Sequence, residues 1–139
     1  MTVFSKIVEG EIPAHVVYED ETTFAFLDAN PLAPGHTLVI PKEEYPQIED
    51  LPEDVARDLF ATAHRLVPAI EDAVDADATT VGFNNGEAAG QEVEHVHCHI
   101  VPRFSDDDGG SLHTAMGGFA DLEDDDLEGI AGDIEAQIE

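Results

Sequence analysis

Apolar and polar positions fall into two rhythms along this chain. Val16-Val17-Tyr18-Glu19 and Thr23-Phe24-Ala25-Phe26-Leu27 are rich in β-branched and aromatic residues and flank Asp20-Glu21-Thr22, a length that suits a β-hairpin. His36-Thr37-Leu38-Val39-Ile40, ended by Pro41, and Thr79-Thr80-Val81-Gly82-Phe83 read as a third and a fourth strand. The stretch Glu94-His95-Val96-His97-Cys98-His99-Ile100-Val101-Pro102-Arg103 reads as a fifth. Elsewhere the period is helical. Phe4 to Val8 predicts a short helix, stopped at Gly10 with Pro13 beyond. Val55, Leu59, Phe60, Ala63, Leu66, Val67 and Ile70 recur at helical spacing after Asp50 and Glu53, which have the spacing of a capping box. Pro68 should kink this helix rather than end it, because the apolar pattern continues to Val74. Leu127, Ile130, Ala131, Ile134 and Ile138 predict an amphipathic helix from about residue 124 to 138 that needs a partner surface.

The sum is an α+β domain: a five-stranded, mainly antiparallel sheet with one long helix, a short N-terminal helix and a C-terminal helix, the helices expected on one side. Between the elements lie a loop with two prolines and a glycine, 28–35, and a glycine-bearing loop, 84–91. The polar break at 105–110 sets the expected division: a domain over 1–104, and an acidic extension over 105–139 packed on the same domain.

Charge changes the picture. The chain of 139 residues has 32 Asp and Glu against 5 Lys and Arg, a net charge of −27. Self-repulsion on this scale weakens a fold at low ionic strength, whereas near 1 M salt the screening length falls to about 3 Å. The acids are spread through the core pattern rather than gathered in a tail. A cytoplasm of very high salt, as in extreme halophiles, is the economical reading. No basic stripe exists to bind nucleic acid, and no apolar run of 18 residues exists to span a membrane. The N-terminal stretch is too polar and short for a signal peptide, and the single cysteine, Cys98, excludes an internal disulfide, so a cytoplasmic protein is expected.

Three histidines at alternate positions are the candidate chemistry. On an extended strand His95, His97 and His99 would line one face, about 6–7 Å apart, while Val96, Cys98 and Ile100 entered the core. Such a row suits metal ligation, or nucleophilic attack on phosphorus by a neutral imidazole whose other nitrogen is held by an acceptor. A neighbouring imidazole can protonate the leaving group or steady the phosphoryl oxygens, and a loop such as 84–91 can offer backbone N–H groups to an anion. His15, His64 and His113 stand alone and are expected to be surface or structural residues.

The motif His95-Val96-His97-Cys98-His99-Ile100-Val101 resembles the signature of the histidine triad superfamily. Phe4-Ser5-Lys6-Ile7-Val8, Ile12-Pro13-Ala14, Ala25-Phe26-Leu27-Asp28, Pro34 to Lys42 and Asn84 to Gln91 are similar, in the same order, to its Hint branch. The resemblance runs from about Thr2 to Phe104. It implies a covalent nucleotidyl-histidine on His97, formed by attack on the α-phosphorus of a purine nucleotide derivative such as a phosphoramidate or a dinucleoside polyphosphate. It implies that the carbonyl near His95 orients His97, and that His99 and His36 lie beside the phosphate and leaving group. It assigns Asn84, Gly90 and Gln91 to the phosphate, Asp28 to the ribose hydroxyls, and Phe4, Ile7 and Phe26 to the purine walls. Plain core is the other reading of those three apolar residues. A homodimer with a sheet continued across its interface is implied as well, and no cofactor.

Two departures stand out. Thr2, Ser5 and Glu44 fill places where several relatives carry zinc ligands, so no metal is expected. Glu92 stands where the family usually has Ser or Thr, and a carboxylate there bears on the leaving group. A nucleotide-binding regulatory module with little turnover is therefore the alternative to a hydrolase, and a metal-binding sheet protein is a third reading.

Overall fold

The computed structural model describes residues 1–138. Contacts divide the chain into two units, Met1–Asp107 and a second beginning at Asp108. In the first unit α1 (Val3–Val8) precedes the hairpin of β1 (Val16–Glu19) and β2 (Thr23–Leu27). Strand β3 (Thr37–Pro41), the long helix α2 (Glu53–Val74), β4 (Ala78–Gly82) and β5 (Cys98–Arg103) follow. The sheet order is β1-β2-β3-β5-β4, with every pair antiparallel. The last strand thus lies inside the sheet, between β3 and the edge strand β4.

Both faces of this sheet are covered, which corrects the expectation of helices on one side. Leu59, Ala63, Leu66 and Ile70 of α2 share one core with Ala25, Val39, Cys98 and Ile100. Phe4 of α1 shares the other with Phe24, Phe26, Leu38 and Ile40. Alternation along β2 and β3 explains the split. Ala25 and Val39 face α2, while Phe24, Phe26, Leu38 and Ile40 face α1. Strands buried on both faces read as continuous apolar runs, so sequence alone could not tell which helix covered which side.

Two local expectations shift, the starts of α2 and β5, and one holds, the passage of α2 through Pro68. Helix α2 begins at Glu53 behind Pro52, not at Asp50. Asp50 instead ends a 3₁₀ turn, where its carboxylate accepts from the Gln47 N–H at 3.0 Å. Pro68 lies within α2, which runs on to Val74 because Leu66 and Ile70 remain buried. The fifth strand starts only at Cys98, so His95 and His97 precede it. Gly35, with φ +89°, makes the turn that brings His36 under the sheet, where a Cβ would stand 3.0 Å from Val74 Cγ1.

Asp107 closes the first unit. Its carboxylate takes Arg103 Nε at 2.9 Å and Arg103 Nη2 at 3.0 Å, and also the Phe104 N–H at 2.9 Å. The second unit holds a short helix, α3 (Leu112–Ala115), not foreseen from the sequence, and α4 (Asp124–Ile138) as expected. Leu127, Ile130 and Ile134 of α4 are exposed. Among the described residues no helix is long and apolar enough to cross a membrane.

Candidate active site

The histidines form a ladder on the face opposite α2. Ring centroids lie 5.0 Å apart for His97 and His99 and 5.2 Å apart for His99 and His36. Leu38 pairs with His99 across the β3–β5 register, so the turn before β3 sets His36 beside it. Phe4 of α1 presents its ring to His97 at 4.9 Å and to His95 at 5.8 Å, nearly edge-on to the former. His95 is fully buried, whereas His97 and His99 keep partial exposure. His15 and His64 are exposed and apart from this ladder, and His113 is exposed in the second unit.

Hydrogen bonds fix the proton on each ring. The backbone N–H of Leu32 donates to His36 Nδ1 at 3.0 Å, so His36 carries its proton on Nε2. That Nε2–H donates to His99 Nδ1 at 3.0 Å, with Asp28 Oδ2 at 3.6 Å from the same nitrogen. His99 must then carry its proton on Nε2, a buried atom with no hydrogen-bond partner among the described residues. His97 Nδ1 lies 2.8 Å from the His95 carbonyl, which can only accept. The lone pair of His97 is therefore on Nε2. A bare nitrogen and an unpartnered N–H stand on adjacent rings.

Burial favours the neutral form of His36, His95 and His99. It lowers His36 against the pull of Asp28. It lowers His99 to about 4, helped by the neighbouring His97 and His36 and opposed by Asp28. It lowers His95 despite the Pro41 carbonyl and the charge of Glu44. An unfolded histidine titrates near 6.5. Between that value and about 4 the unfolded chain binds more protons than the folded one, so stability is lost as the pH drops through this window. In concentrated salt, with acid repulsion screened, the melting temperature at pH 5 should lie below that at pH 7.5. An equal or higher value at pH 5 would show that these rings accept protons in the fold.

The loop residues divide. Gln91 spends its side chain on bracing: Oε1 accepts from the Gly86 N–H at 2.7 Å, and Nε2 donates to the carbonyls of Pro46 and Val93 at 2.6 and 2.8 Å. Asn84 and Gly90 are exposed on the loop. Gly90, at φ +94°, turns the chain after the 3₁₀ turn Glu87–Ala89. Asn85, not singled out from the sequence, fastens this loop to the turn before α2, accepting from the Ile48 N–H at 2.9 Å and donating to Glu49 at 3.0 Å. Asp28 Oδ1 accepts from the Asn30 N–H at 2.9 Å and leaves Oδ2 toward His36. Phe4 and Phe26 are buried core residues, with ring centroids 5.5 Å apart, and Ile7 packs beside them. Glu92 is exposed and lines an open cleft with Gln91, Glu87 and Glu94.

Neither of two clusters of polar side chains has the donor chemistry of a metal site. Asp28, His36 and His99 bring one possible ligand atom each to within 4.8 Å of one another. A cation there would need His36 Nε2 bare, but the Leu32 N–H occupies the other nitrogen, so the proton is on Nε2. Thr2, Ser5, Glu44 and His95 are joined by hydrogen bonds at the start of α1. Two hydroxyls in place of thiolates do not fit zinc, and His95 Nδ1 already receives the Thr2 hydroxyl at 3.0 Å.

Residues 9–106 match the family model described as the HIT domain. An uncharacterised HIT-like protein of Methanocaldococcus jannaschii is 46% identical over 107 residues, covering 77% of this chain and 82% of its own. The adenosine 5′-monophosphoramidase HNT1 of Saccharomyces cerevisiae is 38% identical over 107 residues, covering 77% of this chain and 65% of its own. The adenylylsulfatase HINT3 of Arabidopsis thaliana is 43% identical over 101 residues, and the match spans 73% of this chain and about half, 51%, of HINT3. Among solved structures, SMU.412c from Streptococcus mutans superposes with a TM-score of 0.87 at 41% identity, covering 99% of this chain and 85% of that one.

Proposed function

The chain belongs to the HIT domain family, and from that membership we propose a hydrolase acting at the α-phosphate of purine nucleotide derivatives through a covalent intermediate on His97. The observation that carries the proposal is the pairing of a bare His97 Nε2 with the unpartnered, buried Nε2–H of His99. The named activities of the yeast and plant relatives support the nucleotide class.

In the proposed reaction His97 Nε2 attacks the α-phosphorus. The N–P bond forms, and the bond from phosphorus to the leaving group breaks; the leaving group carries off the electron pair and, where it is an amine, takes a proton from solvent. Positive charge then develops on the His97 ring, where the His95 carbonyl steadies the Nδ1–H. His99 Nε2–H faces the phosphoryl oxygens, backed by His36 and Asp28. Asn84 is the loop side chain that completes the anion site, since the N–H groups of Ala89, Gly90 and Gln91 already donate to carbonyls of their own turn. Asp28 Oδ2 holds the ribose hydroxyls, and Phe4, Ile7 and Phe26 flank the base. Water then attacks the phosphorus, breaks the N–P bond and releases the nucleoside monophosphate, leaving His97 as it began.

The test is incubation with adenosine 5′-phosphoramidate, adenylyl sulfate and a dinucleoside polyphosphate in concentrated potassium chloride, with release of AMP followed by chromatography. Turnover of at least one is expected. Tight AMP binding without turnover of any would favour the regulatory module instead, a reading that the exposed carboxylate of Glu92 beside Gln91 motivates. We also propose a homodimer in a high-salt cytoplasm, on the charge of −27 and the resemblance to Hint proteins. Sedimentation at high salt giving a 15.0 kDa species would overturn the dimer.

A further inference from the structure

We propose that Thr2 is a positioning residue for His97, acting through His95, and that Thr2, Ser5 and Glu44 form a metal-free latch on the nucleophile. The proposal rests on the reading of His97 as nucleophile. It begins from the donor set that does not fit zinc: hydrogen bonds tie these four residues together. Glu44 accepts from the Ser5 hydroxyl at 2.6 Å and from the Thr2 N–H. Those bonds, with the N-terminal ammonium and His95 adding a little, hold its carboxyl at about 2, so it is ionised at neutral pH. The Thr2 hydroxyl accepts from the Ser5 N–H at 3.2 Å and meets His95 Nδ1 at 3.0 Å.

The direction of that last bond is determined. His95 Nε2 lies 2.8 Å from the Pro41 carbonyl, which can only accept, so the His95 proton is on Nε2. Nδ1 is then bare, and the Thr2 hydroxyl must donate to it. His95 is fully buried, so both bonds are shielded from water. Its own N–H donates to Val93 at 2.8 Å, and the next N–H, of Val96, donates to Tyr45 at 2.8 Å. The ring is thus held at both nitrogens and the backbone on both sides. The carbonyl between them is the one that accepts the His97 Nδ1–H. Two bonds in series, 3.0 and 2.8 Å, therefore link the cap of α1 to the nucleophile. If the Thr2 hydroxyl is lost, His95 Nδ1 becomes a buried acceptor without a donor, and the Nε2–H tautomer loses half of its support.

Thr2→Val keeps the shape and removes the donor; Thr2→Ser keeps the donor. The full chain is measured in concentrated potassium chloride with adenosine 5′-phosphoramidate, and long-range ¹H–¹⁵N spectra report which nitrogen of His95 and His97 carries the proton. Thr2→Val should lower kcat by roughly 10- to 100-fold with KM changed by less than about threefold, and should mix the His95 tautomers. Thr2→Ser should restore both. A folded Thr2→Val with kcat within about twofold and His95 still purely Nε2–H would overturn the latch, as would Thr2→Ser losing as much as Thr2→Val. Should Thr2→Val fail to fold, Glu44→Gln carries the same two readouts. If the unaltered protein turns over no nucleotide, the nucleophile reading fails on that measurement, while the spectra still decide whether Thr2 sets the tautomer of His95.

Discussion

Replacing His97 with alanine should lower turnover by about four orders of magnitude or more, because the variant loses the bare ring nitrogen that stands beside an unpartnered donor. The covalent step gives a sharper readout than rate. A histidine–phosphorus linkage is labile in acid and stable in base, so the reaction should be quenched in alkaline denaturant. With substrate labelled at the α-phosphate, the unaltered chain should carry label that water then removes, and His97→Ala should carry none. Label retained in His97→Ala would move the nucleophile to another ring. His99→Asn separates the roles: it should still acquire label, more slowly, because His99 donates to the phosphoryl group and forms no bond to phosphorus. A His99→Asn that never labels, beside a His97→Ala that does, would reverse the two assignments.

Leu59→Ala should be the most damaging of the simple core truncations. Leu59 is fully buried in α2, in the core it shares with Ala25, Val39, Cys98 and Ile100. Removing three carbons there leaves a cavity under the middle of the sheet and should cost about 2–5 kcal/mol. Whole domains are stable by only about 5–15 kcal/mol. The net charge of −27 subtracts from that margin when salt is low. Leu59→Ala should therefore be unfolded in dilute buffer and folded near 2 M potassium chloride, as followed by circular dichroism. An altered chain that folds equally well in both would show that acid repulsion contributes little to its stability. The contrast with His97→Ala is diagnostic: that variant should keep its melting temperature, because a partly exposed ring outside the two core clusters does little for the core.

Much of this architecture is legible in the sequence, for identifiable reasons. Strands β1 and β2 have the bounds that their pattern gives, since Asp20 accepts from the N–H groups of Thr22 and Thr23 and closes the hairpin locally. Helix α4 likewise follows its apolar spacing. The start of α2 was misplaced because Asp50 has the right residue type for a cap but serves the preceding turn, and Pro52 stands between the two. Gln91 shows the same limit within the site. A glutamine in a phosphate loop suggests a ligand contact, yet its amide is spent on three backbone groups. Which partner a side chain meets is set by chain segments far away in sequence.

The histidine row marks that boundary most clearly. Sequence alone determined that three imidazoles sit at alternate positions, that Val96, Cys98 and Ile100 between them enter the core, and that the chain carries one family's motifs in order. It could not determine where each proton resides, because a tautomer is decided by the group facing each nitrogen. Those groups are the carbonyls of Pro41 and His95, the N–H of Leu32 and the hydroxyl of Thr2. Two of them, Pro41 and Thr2, lie tens of residues from the ring they face, and only folding brings them there. The motif supplied the imidazoles; the tertiary structure decided which nitrogen is bare and which N–H is left to donate.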